Sequence, residues 1–591
     1  MTHHPHADPP AAEVLPTPPG RAAAWAVAAA TAWAAVLLAT APITPMAWDE
    51  GNAVLRAEGI ARWATRWSDA KDAAAAPRPL REARSPLDRD VIAEDWQYTT
   101  QLEGHPAVYG IVIAAGRWAA PHRLNPRDRA RFGPMLLFAV AVGAVVYRLA
   151  REEAAMAAVS AAAAMLLLPR LFAHAHFASF DGPLVAFWLI VWAAFAAARS
   201  GIPAAAGWGV LLGLLLGCKA TGWFAMVPLI VWTLLYRDRP AIRALAVGLP
   251  AAAAVFWLVN PPLWHAPLAG VVRFFALNFH RAAQPELNIA TQFFGRLYNL
   301  DHPLPWYNTL VWTAVTVPLP VLGCFAVGLG RVVRRWRSEP AGILVALNWL
   351  VLVVVRALPG TPPHDAERLF LPSFAFLAIL AGIGFRTLWD RLPPGVASGA
   401  LSSGGAPPGG RRVLVRALLL VLVAGTGWNL VAFAPQWLSY YSLAIGGLRG
   451  ATAAGMEPTY YWDALDDEVL GWLHAHTTDE EAIRFGSPSA ENLLLMHRWG
   501  LLDRRFAAGA SRALPPRRTA DDVPFRWYVI QHRPSGWQPL DRLLLAHAEP
   551  AFQKTLRSGW GPWAVEVPLL SIFDHDDYLR ARRAALRPPT P

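Results

Sequence analysis

Up to about residue 435 the chain alternates long apolar runs with short polar loops rich in arginine. An apolar run of about 20 residues crosses the hydrocarbon core of a bilayer as a helix. The runs at 22–41, 133–150, 154–169, 183–199, 206–218, 221–236, 241–259, 309–330, 341–358, 367–389 and 412–433 predict about 11 transmembrane helices. The run at 105–120 is shorter and predicts an interfacial or re-entrant helix. Beyond residue 435 hydropathy falls and the periodicity changes. Strands are predicted at Glu481–Ser487 and Arg526–Gln531, and helices at Asp466–His476 and Ser489–Trp499. The expected fold is a polytopic α-helical membrane protein with a small C-terminal α/β soluble domain.

This pattern divides the chain. Residues 1–20, rich in Pro, Ala and His, predict a disordered cytoplasmic tail. The first apolar run reads as a retained anchor rather than a cleaved signal. Residues 21–435 form the transmembrane domain, with 42–132 as a first outer loop carrying interfacial helices, and 436–591 form the extracytoplasmic domain. The Gly- and Ser-rich stretch 393–410 predicts a flexible inner linker.

Composition agrees with this picture. The 591 residues are 55% hydrophobic and 16% charged, against about 25% charged in soluble proteins. A net charge of +11 would suggest nucleic acid in a soluble chain. Here Arg148/Arg151, Arg237/Arg239/Arg243, Arg331–Arg337 and Arg411/Arg412/Arg416 fall in alternate loops. They report sidedness, not nucleic-acid binding. The N-terminus is thereby placed in the cytoplasm and the C-terminus outside the cell's inner membrane. Cys218 and Cys324 each lie in an apolar run, which predicts packing rather than a disulfide. Lysine occurs three times, at Lys71, Lys219 and Lys554, which singles out Lys219 at the edge of a span.

On this topology a set of polar residues gathers at the outer ends of spans. It comprises Asp49-Glu50, Glu103-Gly104-His105-Pro106, His174-Ala175-His176, Asp181-Gly182-Pro183, Lys219, Asn260 to His265, Pro305-Trp306-Tyr307 and His364-Asp365-Ala366-Glu367-Arg368. Ionisable groups at a membrane edge are costly and mark a site facing outward.

The order of these segments resembles that in the GT-C membrane glycosyltransferases. The likeness is to glycosyltransferase family 39, in its protein mannosyltransferase-like and aminoarabinose-transferase-like branch. It rests on the acidic pair after the first span, His105-Pro106, Asp181-Gly182-Pro183-Leu184, Lys219-Ala220-Thr221-Gly222 and Arg368 with Pro372. Pro305-Trp306-Tyr307, Ser439-Tyr440-Tyr441, Gly446-Gly447 and Glu457-Pro458-Thr459-Tyr460 resemble a bacterial subgroup.

The resemblance implies an inverting transfer of a sugar from a polyprenyl-phosphate lipid to an acceptor hydroxyl on a protein, a lipid or a glycan. Asp49 is the expected general base, with Glu50 beside it to orient it or to face water. Arg368, His105 and Lys219 are expected to bind the donor phosphate. Glu103, Asp181, His174, His176, Trp306, Tyr307 and Asp365 are expected to contact substrate or support the site. A divalent metal is a possible cofactor, with Glu103, His265 and His364 as candidate ligands. Two readings from other classes compete: a polytopic transporter, which would place ionisable groups near the midplane, and a non-catalytic envelope scaffold.

Overall fold

A computed structural model describes residues 17–75, 84–99, 104–279, 288–390, 408–478, 481–486, 489–503, 509–510, 525–559, 562 and 564–585. The expected linker at 393–410 falls mostly outside these residues, as do most of the expected tail and Glu103.

Proline sets many helix starts, because a fixed φ and a missing N–H cost nothing in the first turn. The helices Pro19–Thr40, Pro126–Glu152, Arg239–Leu258 and Pro340–Ala357 all begin this way. Asn125 and Asp238 cap two of them by accepting from the backbone N–H of Asp128 and Ala241.

Among the described residues, six helices are long and apolar enough to cross a membrane: Pro19–Ile43, Pro126–Glu152, Asp181–Ala198, Arg239–Leu258, Pro340–Ala357 and Ala366–Asp390. The other expected spans are shorter or broken. Ala155–Leu166 and Ile202–Leu216 have 12 and 15 residues. The run at 309–330 is two helices, Asn308–Thr316 and Leu319–Arg334, parted at Pro318. The run at 105–120 forms the 12-residue helix Val108–Ala119. At 1.5 Å per residue that is about 18 Å, short of the ~30 Å hydrocarbon core.

The helix Ala366–Asp390 is the axis of the packing, with 94% of its apolar window inside the protein. It approaches Leu319–Arg334 so closely that a Cβ on Gly384 would stand 1.8 Å from the Cys324 carbonyl oxygen. Small residues permit this contact, as is common between membrane helices.

Strands lie in two places among the described residues, one between the apolar helices and one beyond residue 480. A hairpin of β1 (Thr291–Phe293) and β2 (Arg296–Tyr298) stands apart from a five-stranded sheet. That sheet contains β3 (Ile483–Phe485), β4 (Gly509–Ala510), β5 (Trp527–Gln531), β6 (Phe552–Ser558) and β7 (Val565–Asp574) in the order β4-β3-β5-β7-β6. The first three pair in parallel, and β5 with β7 and β7 with β6 pair antiparallel. Helices Asp467–His476 and Ala490–Trp499 lie where the periodicity placed them. The sheet region is clamped by Asn492 to the segment that follows the first apolar helix. The Asn492 side chain accepts from Gly51 N–H at 2.7 Å and donates to the Ala47 carbonyl at 2.9 Å. A Cβ on Gly51 would lie 2.4 Å from the backbone nitrogen of Asn492, so glycine is required by this approach.

Candidate functional site

Three chain segments distant in sequence converge at the end of the first apolar helix. The first is Met46–Gly51. The second is the 3-10 turn Ala366–Phe370 that opens the central helix. The third is the loop Glu457–Asp463, which hydrogen-bonds across the first from the Trp48 N–H to the Tyr461 carbonyl at 3.0 Å. Asp365, Ala366 and Trp462 adopt left-handed φ values of 60°, 49° and 62°. Non-glycine residues held in that region store strain and cluster at functional sites.

Arg368 is the hub. Its Nη1 donates to Asp49 Oδ2 at 2.7 Å and lies 3.4 Å from Asp365 Oδ2. Its Nε faces Asp181 Oδ2 at 3.6 Å, and neither atom has a hydrogen-bond partner among the described residues. Tyr461 completes the contact with Asp49. Its hydroxyl donates to Oδ2 at 2.8 Å, and its ring lies 4.3 Å from the Arg368 guanidinium. Lys219 ion-pairs with Asp181 at 2.6 Å. The His105, Lys219 and Arg368 cations or rings all surround Phe180, at 4.5, 4.4 and 5.6 Å from its ring centre. The structure thus brings together Asp49, Arg368, Lys219, His105, Asp181 and Asp365.

Exposure separates the carboxylates in this group. The Asp49 side chain is 22% exposed, whereas those of Asp181 and Asp365 are 1% and 8% exposed. Burial alone would raise the Asp365 carboxyl, but Arg368 and Arg533 outweigh it and hold the group at about 2. Arg533, arriving from the loop after β5, pairs with Asp365 at 2.9 Å and donates to the Tyr460 carbonyl.

Glu50 is turned the other way. It is held bidentately by Arg131 at 2.8 and 2.7 Å and accepts from the N–H groups of Ala47 and Ala178. Arg131 also donates to the carbonyls of Thr44 and Pro45. Both oxygens of Glu50 are saturated, and its side chain is 3% exposed.

The histidine pair is structural in its contacts. His174 Nε2 meets the Tyr460 hydroxyl at 2.9 Å, which donates to Glu367, itself paired with Arg170. His176 joins Thr40 to the Phe172 carbonyl and stacks on Trp437. Trp306 and Tyr307 are exposed and meet edge to face. His265 lies against the Leu87 carbonyl at 3.0 Å, and no group of three or more potential metal ligands occurs among the described residues. His265 and His364 therefore do not share a cluster with a third ligand there.

Tyr461 and Arg533 were not among the residues picked out in the sequence. The segment Glu457–Tyr460 was, and it stops one residue short of the tyrosine that touches Asp49. The Tyr-Tyr-Trp-Asp run at 460–463, aromatic and acidic between polar loops, is the signal that could have extended it.

No family model matches the chain, and no curated protein matches it. Among solved structures it is similar to ArnT from Cupriavidus metallidurans in the apo state. That likeness has 17% identity and a TM-score of 0.47, over 93% of this chain and 98% of that one. The same protein bound to undecaprenyl phosphate gives 15% identity and a TM-score of 0.44, over 92% and 97%. The oligosaccharyltransferase AglB from Archaeoglobus fulgidus, with an inhibitory peptide and a dolichol-phosphate, gives 11% identity and 0.47, over 92% and 74%. Likenesses of this degree carry no chemistry with them.

Proposed function

We propose that the chain is a GT-C-type inverting glycosyltransferase that moves a sugar from a polyprenyl-phosphate donor to an acceptor hydroxyl at the outer face of the inner membrane. One observation carries the reading. Among the carboxylates gathered around Arg368, Asp49 is the most open, and its Oδ2 is paired with a guanidinium whose fork suits a phosphate.

The chemistry follows from that pairing. A donor phosphate entering beside Arg368 competes with Asp49 for the guanidinium. Transfer of Nη1 to the phosphate frees Asp49 Oδ2, which takes the proton of the acceptor hydroxyl as its oxygen attacks the anomeric carbon. The bond from that carbon to the phosphate oxygen breaks, and the polyprenyl phosphate leaves with the electron pair. Arg368 stabilises the charge it gains. Asp181 and Lys219 brace Arg368 from the buried side, and His105 packs beside them on Phe180. The location of the ion pairs at helix ends favours this reading over a transporter, whose coupling groups lie near the midplane.

The test is transfer from a defined polyprenyl-phosphate sugar by purified protein. Asp49→Asn is expected to lower kcat by about 10²–10⁴. Full activity in that variant would remove Asp49 as the base.

A further inference from the structure

The C-terminal sheet carries a cavity of about 460 Å³ that the proposed transfer does not use. Ser571 on β7 and Gln553 on β6 supply its polar floor, Trp537 one wall, and Arg542 the rim. Ser571 Oγ lies 2.9 Å from His532 Nε2 and accepts from the Gln553 amide at 3.2 Å. The Trp537 indole N–H is already committed to the Gln531 carbonyl at 2.9 Å. What the half-buried indole can offer a ligand is its ring.

The donor set narrows the ligand class. No acidic residue lines the cavity, which argues against a cation. Its one arginine, Arg542, is exposed at the rim, a poor anchor for a phosphate. Burial lowers His532 to about 4, so the ring is neutral at physiological pH and has one donor and one acceptor nitrogen. Amide, hydroxyl and neutral imidazole groups both give and accept hydrogen bonds. Set beside an aromatic ring, they match adjacent hydroxyls and the C–H face of a pyranose.

The placement adds a second observation. Arg533 follows His532 directly but enters the other site, paired with Asp365 and lying 5.0 Å from the Trp462 ring. Gly536 meets Trp462 as well, since a Cβ there would stand 2.4 Å from the indole. The short loop 531–537 therefore has one side in the Arg368 ion network and the other in the cavity.

We infer that this cavity is a subsite for a neutral glycan, seated on Trp537 and hydrogen-bonded by Gln553 and His532, both of which the buried Ser571 hydroxyl holds in place from below. The ligand class rests on the cavity itself. Its service to transfer, as a hold on the acceptor's glycan, rests on the function proposed above.

The experiment is saturation-transfer NMR on the full chain in lipid nanodiscs, which avoids sugar-headed detergents. The probes are the methyl glycosides of mannose, glucose, galactose and N-acetylglucosamine. The wild type is expected to bind at least one, and Trp537→Ala and Gln553→Ala to weaken that binding by about tenfold or more. Gln553 is exposed, so its variant tests the site without endangering the fold. No binding by the wild type at millimolar probe, or equal binding in both variants, would overturn the subsite. Asp49→Asn is expected to bind the same glycoside unchanged. A chain that binds glycosides but transfers no sugar would keep the subsite and sink the transferase reading.

Discussion

Asp49 and Glu50 are neighbours in sequence and opposites in environment. Glu50 is sealed in by Arg131, two backbone N–H groups and the surrounding loop. Removing one partner of such a buried pair leaves the other charge uncompensated and costs about 3–5 kcal/mol. Glu50→Gln is therefore expected to lower thermal stability in nanodiscs, while any protein that folds keeps its kcat. Tyr461→Phe should do the reverse. The ring and its contact with Arg368 remain, but the hydroxyl that fixes Asp49 is gone. The fold is expected to hold and kcat to fall by about tenfold, the value of roughly one hydrogen bond to a charged group. A thermal melt and a transfer assay on each variant separate the two roles.

At the scale of elements, the strongest signals in the chain were long apolar runs and, beyond residue 435, the change of periodicity. The apolar run at 22–41 and the periodicity of Asp466–His476 gave boundaries close to the observed Pro19–Thr40 and Asp467–His476. The breaks were harder to read. Pro318 divides one apolar run into two helices, and an apolar run alone does not say whether proline will kink or stop it. The loop Glu457–Asp463 was legible only as far as the motif Glu457–Tyr460, because the role of the rest depends on crossing the chain more than 400 residues earlier, as Tyr461 does to reach Asp49. That loop also supplies a pH signature. Burial pushes the Asp463 carboxyl up to about 6, and the hydrogen bond from Thr459 offsets this only in part. A carboxyl whose folded pKa is raised contributes stability below its unfolded pKa, near 4, and loses it as pH rises through about 6. Asp365 has the opposite sign: its contribution is present above about 4 and fades as pH falls toward 2. Asp463→Asn keeps an acceptor for Thr459 and removes the ionisation. It is expected to raise the melting temperature at pH 7.5 and to flatten the change in melting temperature between pH 4 and 6. An unchanged slope would show that Asp463 does not titrate there.

Across the whole molecule, the site is made by long-range closure. The residues expected around Asp49 were visible in sequence as polar groups at span ends, and five of them, Arg368, Lys219, His105, Asp181 and Asp365, gather with it. Which of them touch could not be read, because Arg368 and Asp49 are 319 positions apart. Asn492 shows how the closure is held, reaching from the sheet region to Gly51 and Ala47 after the first apolar helix. Asn492→Ala takes the side-chain acceptor from the buried Gly51 N–H, at about 1–3 kcal/mol, and leaves the Ala47 carbonyl with the Glu50 N–H alone. It is expected to lower both stability and transfer although it touches no substrate. A melt that matches the wild type would argue against the clamp.

On the proposed function, Asp49 and Arg368 face a polyprenyl-phosphate sugar. The most direct test is mass spectrometry of the lipids that copurify with Asp49→Asn from a membrane containing such donors. With the base disabled and Arg368 intact, the donor should remain bound and unspent, and a polyprenyl-phosphate sugar is the predicted find. Bulk phospholipid alone, from a folded protein in a donor-containing membrane, would show that Asp49 and Arg368 do not hold such a donor.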